Sequence, residues 1–131
     1  MQTNSPNGPP GKSGAQTYRD LVVWQKAMDL CVDCYRFTAN LPTEERYGLA
    51  SQLRRASVSV PSNIAEGFGR ESRGAFAQYL RISRGSLKEL ETQLLICQRV
   101  GLASSTDVAK IMAIADEMSK MLRALLRSLE A

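Results

Sequence analysis

From residue 17 onward the apolar positions recur at helical spacing, and no stretch alternates as a strand would. In the first segment Leu21, Trp24, Met28, Cys31 and Tyr35 fall 3, 4, 3 and 4 apart, one seam along a helix, with Asp20 placed to cap its start. Asn40-Leu41-Pro42 stops it, because proline lacks a donor and disfavours a helical residue before it. Thr43 is positioned to cap a second helix, with Glu44 and Glu45 complementing its dipole. That seam runs Leu49, Leu53, Ala56, Val60, and Gly67 and Gly69 mark its end. Pro61 lies inside it and predicts a kink or a wide turn.

Ser72 caps a third helix, with a seam of Phe76, Leu80, Ser83, Leu87, Leu90, Leu94 and Cys97. Gly101 ends it as a left-handed cap, leaving Leu102 to fold back. Ser104 or Ser105 caps a fourth, whose seam is Val108, Ile111, Ala115, Met118, Leu122, Leu125 and Leu129. Four amphipathic helices of roughly 20–27 residues, about 30–40 Å each, joined by short connections, predict an all-α, antiparallel up-down-up-down four-helix bundle over residues 17–131. Residues 1–16 hold three of the five prolines and three of the nine glycines and lack large apolar side chains after Met1. They read as a disordered tail.

The chain is 131 residues long, so it has room for one core. It contains no histidine, which excludes Ser-His-Asp and Cys-His catalysis, histidine acid–base chemistry and the Glu-x-x-His sites of di-iron bundles. A divalent-ion nuclease built on Glu66, Glu89 or Glu91 is disfavoured, because Glu89 and Glu91, two apart, point away from each other. The expectation is a non-enzymatic protein with no cofactor and no metal. Cys31, Cys34 and Cys97 cannot all pair with one another, and the Cys31–Cys34 spacing reads as core packing rather than as metal or redox chemistry. With no run of 18 apolar residues and no leader-like segment, a cytoplasmic protein with reduced thiols and no membrane partner is expected.

Formal net charge is +4, but its distribution is uneven. Seven basic residues (Arg54, Arg55, Arg70, Arg73, Arg81, Arg84, Lys88) and only two acids lie between positions 54 and 88. Arg81, Arg84 and Lys88 share one flank of the third helix. Guanidinium forks match phosphate oxygens, so these seven are candidate nucleic-acid contacts. A solvated face, or intersubunit ion pairs in a protein-binding scaffold, remains the alternative. Nearby aromatics are few (Phe68, Phe76, Tyr79), so base stacking is not indicated. Continuing the second seam lands on Asn63, an amide that needs partners when buried. Ser83 and Ser86 are candidate partners, and Glu66 could answer Arg84 or Arg81. Together they predict a structural polar network of Asn63, Glu66, Ser83 and Ser86 that fixes helix register. Apolar residues off the seams (Val22, Val23, Val58, Ile82, Ile96, Ile114, Leu126) predict an oligomer interface.

The strings Leu41-Pro-Thr-Glu-Glu-Arg-Tyr-Gly-Leu49, Gln52-Leu-Arg-Arg-Ala56, Asn63-Ile-Ala-Glu-Gly67 and Arg81-Ile-Ser-Arg-Gly-Ser-Leu-Lys-Glu-Leu90, with Asp20-Leu-Val-Val-Trp24, resemble the 23S rRNA intervening-sequence protein family. The resemblance covers roughly residues 18 to 125. It implies a small bacterial four-helix bundle that forms a homo-oligomer, a pentamer favoured, without cofactor or established enzymatic activity. The family is also similar to the accessory proteins of diversity-generating retroelements, basic pentameric bundles that work with a reverse transcriptase and its RNA.

Overall fold

The computed structural model describes residues 14–130. Its helices are α1 (Val22–Ala39), α2 (Leu49–Phe68), α3 (Arg73–Arg99) and α4 (Ser105–Glu130), with 3-10 turns at Tyr18–Asp20 and Thr43–Glu45 and no strand among the described residues. Each helix packs on two others. The α2–α3 seam is the most extensive, α1–α2 and α3–α4 follow, and α1–α4 is the thinnest. The core is one continuous cluster that includes Leu30, Leu53, Phe76, Leu80, Leu87, Leu90, Leu94, Met118 and Leu122. Burying each such side chain stabilises the fold by about 1.5–3 kcal/mol.

The α3 seam is buried along its whole length, Phe76 to Cys97. The helix starts where Ser72 Oγ accepts the Ala75 amide at 3.1 Å. At its end Gly101 adopts φ +80, its amide reaches Gln98 O, and the Leu102 amide reaches Cys97 O at 2.8 Å. Those two bonds close a Schellman motif and fold Leu102 back onto the core. Ser104 is the residue that caps α4, through the Asp107 amide. Along α4 the expected seam is buried at every position but Leu125, which is only partly covered while its neighbour Leu126 is buried.

In α1 the structure corrects the sequence reading. The buried stripe is Val23, Ala27, Leu30, Cys34 and Phe37. It is offset by one residue, about 100°, from most of the expected seam. Both stripes have helical spacing, and the one with small Ala27 against its neighbours goes inside. Trp24 and Cys31 are half-buried, while Met28 and Tyr35 stay exposed. Tryptophan and tyrosine tolerate such positions because their polar ends remain wet. Val23 and Leu126 consequently belong to the core rather than to an exposed interface, whereas Val22, Val58, Ile82 and Ile96 are exposed.

Two caps also differ from expectation. Asp20 does not cap α1; its carboxylate accepts the Gln16 and Thr17 amides at 2.8 and 3.0 Å, closing a capping box with Thr17 around the first 3-10 turn. Those two amides hold its pKa below the ordinary carboxylate value. Thr43 begins a 3-10 turn rather than α2. The α2 start is covered instead by Glu45, whose Oε1 accepts the Leu49 amide at 3.2 Å.

Gly67 is the penultimate residue of α2, placed where α3 comes close, and Gly69 caps the helix end, as the sequence implied. Pro61 is buried within α2, which is helical through it from Leu49 to Phe68. Of the expected tail, residues 1–13 lie outside the described residues, while Ala15 packs against the core and the Gln16 amide is bonded to Asp20.

Candidate nucleic-acid interface

The seven basic residues do not form one surface. Arg70, at the α2–α3 turn, donates to Glu66 at 2.8 Å and to the Tyr79 hydroxyl at 2.9 Å. Arg73 donates to the carbonyls of Leu129 and Ser128 at the end of α4. Arg81 is paired with Glu130, and Lys88 with Glu91 at 3.3 Å. Glu66 therefore answers Arg70, four residues on and one turn away, rather than Arg84 or Arg81. Arg84 is half-buried, and its Nε has neither solvent contact nor a partner among the described residues. The carboxylates of Glu66, Glu91 and Glu130 thus offset much of the charge on this flank.

Arg54 and Arg55 belong to a different place. With Arg46 they line a groove of about 600 Å³ along the outer side of α2, together with Tyr35, Tyr47, Ser51, Val58, Ser59, Ser62 and Asn63. No carboxylate lines it. Arg54 is fixed there: its Nε donates to Thr38 Oγ1 at 2.8 Å, and its guanidinium lies over the Tyr35 ring at 5.0 Å. Thr38 is itself buried and donates to Tyr35 O. None of Arg46, Arg54 and Arg55 makes an ion pair among the described residues. Three forked cations without internal counterions are a ready-made anchor for phosphates.

Arg46, Tyr35 and Tyr47 were not among the sequence candidates. Arg46 falls just ahead of the basic window that opens at Arg54, and no acid occurs from Arg46 to Ala65. That acid-free run was the available signal. Tyr35 comes from α1 and joins the groove only through the fold.

The polar residues of α2 and α3 meet at Ser59. Ser86 Oγ donates to Ser59 Oγ at 2.8 Å, and Asn63 Nδ2 donates to Ser59 Oγ and O at 2.9 and 2.8 Å. Ser83 Oγ donates to Val60 O at 2.9 Å. Asn63 is half-buried beside the groove, and Ile64 takes the seam position. Serine is small enough to let the two helices approach and still satisfies its own hydroxyl, so register here is set by paired hydroxyls.

Two of the three thiols are sequestered. Cys34 and Cys97 are fully buried, and Cys31 Sγ lies 3.6 Å from Ser57 Oγ. Burial, then the neighbouring Cys31 and Asp33, pushes the Cys34 pKa up to about 12. Among the described residues no three His, Cys, Asp or Glu side chains are grouped to hold a metal, and no helix is long and apolar enough to cross a membrane.

The family model for the 23S rRNA-intervening sequence protein matches residues 19–124, almost the entire described bundle. The chain belongs to that family. A solved structure is similar in fold: a protein of unknown function from the S23 ribosomal protein family of Bacteroides thetaiotaomicron VPI-5482 superposes with a TM-score of 0.76. It is 23% identical, with 81% of this chain and 96% of that one covered. No curated protein sequence matches the chain. For a 23S rRNA-intervening sequence protein the groove lies inside the matched region, since Tyr35 to Asn63 all fall between residues 19 and 124.

Proposed function

We propose that this protein is a non-enzymatic, cytoplasmic homo-oligomer that holds RNA through arginine–phosphate contacts. Its helices run up-down-up-down, a reading supported by short connections and by Arg73 at the start of α3 meeting Leu129 at the end of α4. The observation that carries the nucleic-acid reading is the carboxylate-free groove of Arg46, Arg54 and Arg55. Symmetric copies, five in the favoured assembly, would multiply weak contacts per protomer into useful avidity. Work alongside a reverse transcriptase, as the resemblance to retroelement accessory proteins implies, would draw on the same surface.

Neutralising three phosphates on a single strand makes affinity fall about tenfold to twentyfold between 50 and 200 mM salt. Arg46, Arg54 and Arg55 replaced together by Glu should abolish binding to a labelled RNA in an anisotropy titration. Replacing Arg81, Arg84 and Lys88 by Glu should weaken it less, because two of those three already face carboxylates. Equal losses from both sets, or salt-independent binding, would contradict the groove as the contact.

A second reading rests on Arg84, which has no carboxylate among the described residues while Arg81 and Lys88 do. In a scaffold without nucleic acid it pairs across a subunit boundary. Loss of assembly in the Arg84→Glu variant, read by light scattering, would favour it.

A further inference from the structure

Tyr47 stands apart from the other tyrosines. Tyr18 packs edge-on against Trp24, Tyr35 lies under Arg54, and Tyr79 accepts from Arg70. Tyr47 is 88% exposed and has no ring, cation or hydrogen-bond partner among the described residues. Its backbone is nevertheless held. The Arg46 amide donates to Thr43 O at 3.1 Å, the Gly48 amide to Glu45 O at 3.0 Å, and the Leu49 amide to the Glu45 carboxylate. A ring presented on a fixed turn, at one end of a groove carrying three arginines, offers an open flat face beside cationic groups.

Resting on the phosphate-binding reading above, we infer that Tyr47 stacks an unpaired base of single-stranded RNA whose phosphates lie on Arg46, Arg54 and Arg55. The geometry divides the labour. Tyr35 is already covered by the Arg54 guanidinium, so it positions that cation, and Tyr47 keeps an open face. Alongside the arginines, Ser51, Ser62 and Asn63 offer hydroxyl and amide groups to base edges or riboses. From Ser51 to Asn63 this face of α2 extends about 18 Å, more than three turns. A duplex keeps its bases stacked within and offers Tyr47 no face, so the ring selects single strands where the arginines alone would not.

The test uses the full chain, fluorescence anisotropy and three labelled probes of about 12 nucleotides: oligouridine, a backbone of the same charge with abasic sites, and an RNA duplex. The intact protein should prefer oligouridine over the abasic strand. Tyr47→Ala should weaken oligouridine binding about fivefold or more and leave the abasic and duplex probes unchanged, while Tyr47→Trp restores it. Because Tyr47 is exposed, neither change threatens the fold. If Tyr47→Ala is silent while Arg46, Arg54 and Arg55 replaced by Glu abolish binding, the base platform is wrong and the phosphate reading stands. If the intact protein binds none of the three probes at low salt, both fall. If Tyr47→Ala instead changes the particle size in light scattering, the ring is a subunit contact and the inference is overturned.

Discussion

A Cβ added at Gly67 would lie 2.6 Å from the Cβ of Tyr79, closer than two such atoms can sit. Here α2 and α3 approach through a missing side chain, with Phe76 Cδ1 and O only slightly farther away. Gly67→Ala must therefore push the helices apart. Overpacking costs about 1–3 kcal/mol, against a gain in helix propensity of about 1 kcal/mol. A lower melting temperature is expected. Gly85→Ala is the control: nothing lies within 4 Å, so the propensity gain stands alone and the melt should rise. Equal shifts in the two variants would remove the close approach as an explanation.

Arg73 ties the start of α3 to the last carbonyls of α4, where a cation also complements the helix dipole. The bond is at the surface, so Arg73→Ala should cost only about 1 kcal/mol. The signature is local. Hydrogen exchange should quicken in the final turn of α4 and stay as it was in α2.

Burial keeps Cys34 protonated, and burial followed by Glu45 raises the Cys97 pKa too. At pH 8 iodoacetamide should modify Cys31 alone in the native protein and all three thiols in denaturant. A folded-state pKa above the unfolded one stabilises fully below the ordinary thiol value of 9.0 and is lost as pH rises towards 12. At pH 10 the loss from Cys34 is on the order of 1 kcal/mol. Cys34→Ala should flatten that part of a stability–pH curve relative to the parent, and an unchanged slope would contradict the assignment.

Ser59 is the shared acceptor of Ser86 and Asn63. Ser59→Ala strands the Ser86 hydroxyl between helices, at a cost of about 1–2 kcal/mol. Asn63→Ala should cost less, since Asn63 bonds only within its own helix and sits beside solvent. Chemical denaturation of the two variants gives the comparison, and the reverse order would mean that Asn63 carries the register.

The helix pattern was legible wherever one apolar stripe stood alone. α3 has a single stripe from Phe76 to Cys97, and its cap serine and terminal glycine follow the rules for helix ends. α1 has two stripes one residue apart, and spacing cannot rank them; packing around Ala27 does. Asp20 and Thr43 are good cap residues, and each caps or opens a 3-10 turn that periodicity over a long window does not see. Gly67 lies in the last turn of α2 as its letter implied, but that it also admits α3 at close range was not legible. At the candidate site the charge cluster was visible, but the partners were not. Glu91 and Glu130 neutralise cations that looked free, and Tyr35 reaches the groove from another helix.

The thin α1–α4 seam shapes how the molecule assembles in time. The other three seams join helices adjacent in the chain, and α2 meets α3 across only residues 69–72. Closing α1 onto α4 brings together segments separated by two helices, the costliest loop in the molecule. Contacts between chain neighbours form quickly and that closure comes late. Truncating Phe37 or Ile111, buried side chains that line a groove of about 650 Å³ between α1 and α4, should therefore hasten unfolding and barely slow folding. The parent chain's lifetime in the folded state is then governed by its weakest seam, whatever the strength of the α2–α3 hairpin.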